Sequence, residues 1–378
     1  VYHNFNFMQT LQLRKFNDLY AEYGLGAVKN LHLMVQLLLL GRTVNLWKLK
    51  DYVGMIMDKV DVQPESHYRR LTRFFDTWSD CEGFLLELQR YSFRVLRRLH
   101  FTHLLLDGTS WKRGDQKYHY MVLSVLAGSV AIPIYWKQLG KIGSSNQEER
   151  QQLLTEVFKH FDLRGMTLLA DREYIGKKWF KYLKDNKINF VIRLRFGDYY
   201  EAVDAAAGKT YQQMYDKCFL QRKFVRKHIL LDGQSYFISM RPNPKDTPGE
   251  EVIIFLTLIR PVRKTVDQYI KRWRIECLFR HLKTNGFHLE ELNLKSPAKS
   301  NLMMAIVCLA YAITIRAAWK SQDRIRRISF DNANVFPAQS IFRKGLALVT
   351  AWCASFDRFI SYVHTIVGPL KHSIIKNV

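Results

Sequence analysis

At 378 residues and 48% hydrophobic content, the chain is long enough for two or three domains with a sizeable core. Lysine and arginine number 58 against 34 acids, and the net charge of +24 points to a polyanionic partner, nucleic acid ahead of an anionic membrane surface. The five cysteines are widely spaced and contain no CxxC pair, which excludes a disulfide framework or a cysteine zinc site and fits a reducing compartment.

Residues 1–100 read as a helical, DNA-contacting region. "LHLMVQLLLLG" ends a helix at Gly41, "NLWKLKDYVGMIM" makes the next, and "ESHYRRLTRFFDTW" follows from a Ser66 cap as an arginine- and aromatic-rich helix. The same pattern also serves a plain helical bundle. The opening residues lack the charged and apolar regions of a signal peptide.

From residue 101 the hydrophobic period changes. "FTHLLLDGTSW" predicts a strand delivering Asp107 at its end, and "YHYMVLSVLAGSVAIPIYWKQL" predicts two more with a turn at Gly128. "NQEERQQLLTEVFKHF" reads as a helix, "MTLLADREYIG" as a short strand delivering Asp171, "GKKWFKYLKDNKI" as a helix and "NFVIRLR" as a strand. Strands joined first by hairpins and then through helices make a mixed α/β sheet with helices on its faces over 101–197, and 260–317 returns to helix. Between them, 198–259 ("KTYQQMYD", "CFLQRKFVRKHILLDGQSYFISM", "EVIIFLTLI") reads as a β-rich insert broken by Gly and Pro turns. The segment "LMMAIVCLAYAITI" is too short for the usual membrane span and reads as a core helix. The tail 318–378 is mixed helix and loop; its "IFRKGLALVTAWCASF" suits either an amphipathic docking helix or an intramolecular one.

"YIKRWRIECLFRHLKTNG", residues 269–286, sets one acid among cations and aromatics. At about 100° per residue, Tyr269, Arg272, Glu276 and Lys283 share one narrow stripe bordered by Arg280, with Ile275, Leu278 and Leu282 opposite as a buried backing. A solvated helix pairing Glu276 with Arg272 or Arg280 accounts for this as well as an active-site wall does. The two strand-end aspartates tip the balance. With Glu276 they supply hard oxygen ligands suited to Mg2+ or Mn2+, whereas His103, His119, His281 and His288 lack zinc spacing. Glu173 is the reserve acid. On this reading Arg272 and Lys283 face phosphates and Tyr269 stacks on a base or bonds a phosphate. Trp111, Trp136, Trp179 and Trp273 are base-stacking candidates, with core packing the plainer role for each.

Tyr269-x2-Arg272-x3-Glu276-x6-Lys283 matches the signature of DDE-type cut-and-paste insertion-sequence transposases of the insertion sequence four group. "LLLDGTSW" and "LLADREYIG" resemble that group's two aspartate segments. The resemblance covers residues 101–285 well and implies a ribonuclease H-like catalytic domain with a β-rich insert between helical ends. It also implies Asp107, Asp171 and Glu276 as catalytic residues and ligands of Mg2+, with Mn2+ as a substitute, and Tyr269, Arg272, Lys283 and Arg280 as DNA contacts. The partners implied are double-stranded DNA, as terminal inverted repeats and target, and a second copy of the chain on that DNA. The location implied is the bacterial cytoplasm at the nucleoid. A metal-dependent nuclease or junction resolvase, and a domesticated non-catalytic DNA-binding protein, are the competing readings.

Overall fold

The computed structural model describes residues 17–96, 99–141, 143–207, 210–244, 248–319, 325–329 and 335–366. The opening stretch read for a leader, parts of "QDRIRRISFD" and the last residues of the tail lie outside them. The chain folds as two compact units, one mostly of residues 100–110 and 118–277, the other of the N-terminal region, 111–117 and the chain from 278 onward.

The first unit is built on one mixed sheet. Its strands are β1 (Phe101–Arg113), β2 (Gln116–Ala127), β3 (Val130–Gln138), β4 (Thr167–Ala170), β5 (Asn189–Leu194), β6 (Val225–Leu231), β7 (Gln234–Pro242) and β8 (Val252–Thr257). They lie in the order β3-β2-β1-β4-β5-β8-β7-β6. The central β1, β4 and β5 are parallel, and β2 with β3, β5 with β8, β8 with β7 and β7 with β6 are antiparallel. Leu104, Leu105 and Leu106 are all buried, as a strand covered on both faces requires. Helix α5 (Gln147–His160) opens with a capping box between Asn146 and Glu149, and α6 (Lys177–Asp185) follows β4. This central sheet with helices, preceded and followed in sequence by helical regions, is the mixed α/β architecture that the resemblance implies.

Between β5 and β8 the expected strand "KTYQQMYD" is instead helical. Helices α7 (Tyr200–Ala207) and α8 (Tyr211–Leu220) come first, and Thr210 caps α8 by accepting from Gln213 N–H. Tyr211, Met214 and Cys218 are buried at helical spacing, a period hidden in the sequence by the polar residues between them. Strands β6–β8 then extend the same sheet.

The second unit contains α1 (Asn17–Gly41), α2 (Leu46–Met57), α3 (Pro64–Trp78) and α4 (Glu82–Leu96). Helix α3 starts at Pro64 after Gln63, so Ser66 sits inside the first turn rather than capping it; proline's fixed φ and missing N–H suit that position. The 23-residue helix α11 (Pro297–Trp319), longer than its apolar run suggests, is buried nearly all round. It and Leu19–Gly41 are long and apolar enough to cross a membrane, but the window in α11 is 89% buried within the protein, as in a core helix. Helix α12 (Ile341–Thr350) packs on α11, so this part of the tail takes the intramolecular alternative. A Cβ at Gly345 would stand 1.9 Å from the Thr314 carbonyl oxygen, which is why the two helices can meet only at glycine. Helix α13 (Phe356–Ile366) follows.

Candidate active site

Leu106 and Ala170 are register partners on the parallel neighbours β1 and β4. The next residues are Asp107 on β1 and Asp171 just past the end of β4, so the pairing of two strands about 4.8 Å apart brings the two acids side by side. Strand β4 stops at Ala170, but β1 runs on to Arg113, so Asp107 lies mid-strand where its parallel neighbour ends and not at a strand end. The backbone fixes both acids in the same way. Asp107 Oδ1 accepts from Gly108 N–H at 2.9 Å, and Asp171 Oδ1 accepts from Arg172 N–H at 2.8 Å. A Cβ at Gly108 would come within 3.1 Å of His119 Nε2, so a side chain there would press on that imidazole next to Asp107.

The segment expected as one continuous helix is broken. A short α9 (Arg263–Asp267) leads into a 3-10 turn, Gln268–Arg272, and a fresh α-helix α10 spans Trp273–Leu282, with Lys283 beyond its end. The stripe survives the break for its first three members because three residues per 3-10 turn still carry Tyr269 and Arg272 to one side. The Tyr269 hydroxyl donates to Asp171 Oδ1 at 3.2 Å, and its ring meets Phe255 edge-on at 5.0 Å. Ile275, Leu278 and Leu282 are buried, as the spacing predicts.

Arg272 was expected to face phosphate, but its guanidinium is held by the acids. It lies 3.0 Å from Asp107 Oδ2, 3.7 Å from Asp171 Oδ2 and 2.5 Å from Glu276 Oε1. Three carboxylates from separate elements converge on one cation, which a half-buried position makes unavoidable: unpaired, they would repel one another in a low-dielectric setting. Burial pushes the Asp107 carboxyl up to about 7, against the pull of Arg272 and the Gly108 N–H and with further push from Glu173 and Asp171. Burial alone would weaken the Arg272 charge, but Tyr269 and the three acids outweigh it and hold the guanidinium protonated. Burial, then the Asp171 charge, pushes the Tyr269 phenol up, so it acts as a donor.

The other expected contacts are not in this cluster. Lys283 belongs to the helical unit, where its Nζ lies 5.3 Å from the Trp111 ring centroid and 3.5 Å from Glu290 Oε1; Arg280 is exposed in the same unit. Trp111, Trp136 and Trp179 are buried, which takes them out of base stacking, whereas Trp273 is 46% exposed beside Arg272.

Arg150 is a supporting residue that sequence reasoning missed. Almost fully buried, it donates from Nε to Ser145 Oγ (2.9 Å), from Nη1 to the Ile175 carbonyl (3.1 Å), and from Nη2 to the carbonyls of Glu173 (2.7 Å) and Ser145. The guanidinium also lies over the Tyr174 ring. It thus clamps the turn that carries Asp171. Its only sequence signal is a charged residue at a position where α5 turns its apolar face inward.

The donor set suits a hard divalent cation: three carboxylates, no thiolate, with the two aspartate Oδ2 atoms and Glu276 Oε1 turned to one positive group. Among the described residues no group of three or more His, Cys, Asp or Glu side chains stands at metal-holding spacing, since the acids are arranged around a guanidinium. The residues fit by chemistry and convergence rather than as a closed cage.

A mixed sheet with one acid on a central strand, a second just past the end of its parallel neighbour and a third on a following helix defines an α/β protein of ribonuclease H-like fold. Residues 99–313 match the family described as transposase DDE domain, and the chain belongs to that family. A search among curated proteins found no match. Among solved structures, the chain is similar to one titled "Cryo-EM structure of piggyBac transposase synaptic complex with hairpin DNA", with 10% identity, a TM-score of 0.44, and coverage of 92% of this chain and 76% of that one.

Proposed function

We propose that the chain is a DNA transposase that binds element ends, cleaves them by divalent-metal-dependent hydrolysis and joins the 3′-hydroxyl ends to target DNA. The Tyr269-x2-Arg272-x3-Glu276-x6-Lys283 spacing supports membership of the insertion sequence four group within the DDE family. The observation that carries the reading is the meeting of Asp107, Asp171 and Glu276 on Arg272. A DNA-binding module has no use for three carboxylates gathered beside phosphate.

Asp107, Asp171 and Glu276 would hold Mg2+, or Mn2+ in its place; two such ions, when bound, activate water or a 3′-hydroxyl and stabilise the leaving oxygen of a phosphodiester. The chain's own residues prepare for this. Backbone amides and the Tyr269 hydroxyl pin one oxygen of each aspartate, leaving the other for a cation. Arg272 and a metal compete for the same oxygens, so a guanidinium displaced from them is left to meet phosphate. Double-stranded DNA, as terminal repeats and target, is the partner the net charge of +24 favours.

The test uses a labelled DNA end of the parent element with Mg2+, scored for nicking and joining. Asp107→Asn, Asp171→Asn and Glu276→Gln should each reduce both by at least about 100-fold, the scale on which even supporting residues around a metal act, while folding and DNA binding persist. Near-wild-type turnover by any of the three strikes that residue from the site. Cleavage that never leads to joining would turn the reading into a nuclease or resolvase.

A further inference from the structure

A cavity of about 450 Å3 opens in the helical unit, lined by residues including Asn30, Lys59, Ser66, Arg70, Arg73 and Trp78. Its size falls within the ~300–1,000 Å3 of ordinary ligand sites. It lies mainly along α3, with Lys59 from the end of α2 and Asn30 from α1. Apolar atoms of Val62, Phe74 and Trp78 form part of its wall.

The cations around it are uncompensated. No salt bridge from Lys59, Arg70 or Arg73 occurs among the described residues. Arg70 is half-buried and spends its Nε on Asn30 Oδ1 at 2.9 Å, and its terminal nitrogens meet no carboxylate among those residues. Burial, then repulsion from Arg73, lowers its proton affinity; neighbouring Lys29 is lowered by burial, then by Arg70 and Lys59, so the cations here act on one another. Half-buried arginine held beside like charge without a counter-ion is costly unless a ligand supplies the anion. The His67 ring, 6% exposed on the same wall, has its Nε2 without a hydrogen-bond partner.

We propose that this cavity is a phosphate site that takes one backbone phosphate, with its attached sugar, from bound DNA. Arg70 and Arg73 meet the phosphate oxygens, Lys59 adds charge at the mouth, and the Ser66 hydroxyl in the first turn of α3 donates to the same group. The half-buried Trp78 in its wall suits a sugar or base face and not a bare inorganic ion. The site fixes the position of the helical unit on the duplex without reading sequence, as phosphate contacts do. This deepens the DNA-binding part of the proposed function and rests on it, but not on the carboxylate chemistry.

The test is binding of the full-length chain to a short duplex across a salt series with a chelator present, so that catalysis plays no part. Arg73→Gln and Lys59→Gln alter exposed charges without disturbing the fold, and Arg70→Gln is checked by its melting curve. Each should weaken binding about tenfold and reduce the slope of log affinity against log salt by about one unit. Inorganic phosphate at matched ionic strength is the second probe, read as a rise in melting temperature. Unchanged affinity and slope in folded Arg73→Gln and Lys59→Gln overturn the proposal. Stabilisation by inorganic phosphate with unchanged duplex binding also overturns it, since the cavity would then serve a free anion. A chain that neither nicks nor joins DNA but shows the lost slopes would fail the catalytic reading alone.

Discussion

Arg272 is the residue on which the site turns. It is one guanidinium serving three carboxylates whose side chains are 18%, 30% and 29% exposed, so screening reduces each pair well below a fully buried ion pair. Removing it leaves three acids converging on a space without a cation. Asp107, already pushed up to about 7 by burial, loses the largest influence opposing that burial. Arg272→Ala should therefore destabilise the fold by roughly 1–3 kcal/mol in a chelator, less than the cost of breaking a dry pair. Mg2+ should restore more stability to this variant than to the wild type, because any ligand that binds only the folded state stabilises it and here no longer competes with the arginine. Melting curves with and without Mg2+ decide the matter: if the ion shifts both proteins equally, Arg272 and metal do not share these oxygens.

At the scale of elements, Arg150 joins α5 to the turn after β4, and its loss should be felt at Asp171 rather than at Asp107. Arg150→Met keeps the stem but abandons the carbonyls of Ser145, Glu173 and Ile175, which predicts a loss of about 3 kcal/mol or more, as expected when buried hydrogen-bonded charge partners are orphaned. Hydrogen exchange should rise first at residues 171–176; protection unchanged there would deny the clamp. In the helical unit, His32 is fully buried, donating from Nδ1 to the Val28 carbonyl and accepting at Nε2 from the Tyr91 hydroxyl, both at 2.8 Å. Burial lowers it to about 4. Because the unfolded chain takes up this proton near pH 6.5 and the folded chain resists until about 4, its contribution is complete above 6.5 and is lost as pH falls through that window. The loss is about 2 kcal/mol by pH 5. His32→Gln should flatten the melting temperature between pH 7.5 and 5; an identical slope in variant and wild type would rule His32 out. Such elements differ in how plainly they are written. Apolar runs announced β1, β4 and α11, and the acid after each of the first two announced Asp107 and Asp171. The break at Arg272 carries no proline or glycine, and the helix at Tyr211 hides its period among polar residues, so both were settled by packing that no local window contains.

At the scale of the molecule, charge governs what the chain can do with its site. The Tyr269-Arg272-Glu276 stripe was legible because it obeys a fixed period, and the two aspartates because each follows an apolar run; the register that sets those runs side by side was not. The clamp at Arg150 and the cavity around Arg70 depend on which elements meet, and spacing along the chain is silent on that. The net charge of +24 needs no structure to be read, and it bears on assembly. On the proposed function, coupled joining of two element ends to one target requires both ends in a single particle, and identical chains meet that requirement most simply as a closed twofold pair. Two free chains of this charge repel one another over a Debye length of about 8 Å at physiological salt, and bound DNA cancels that repulsion. Light scattering should accordingly find single chains without DNA at low salt and at least two chains with two ends once cleaved-end duplex is added. Raising the salt should weaken the assembled particle by releasing DNA before it separates protein from protein, so that dissociation tracks the salt slope of duplex binding. A one-chain, one-end complex that still joined both ends in a coupled reaction would defeat this account, since no second active site would then be on hand for the second strand.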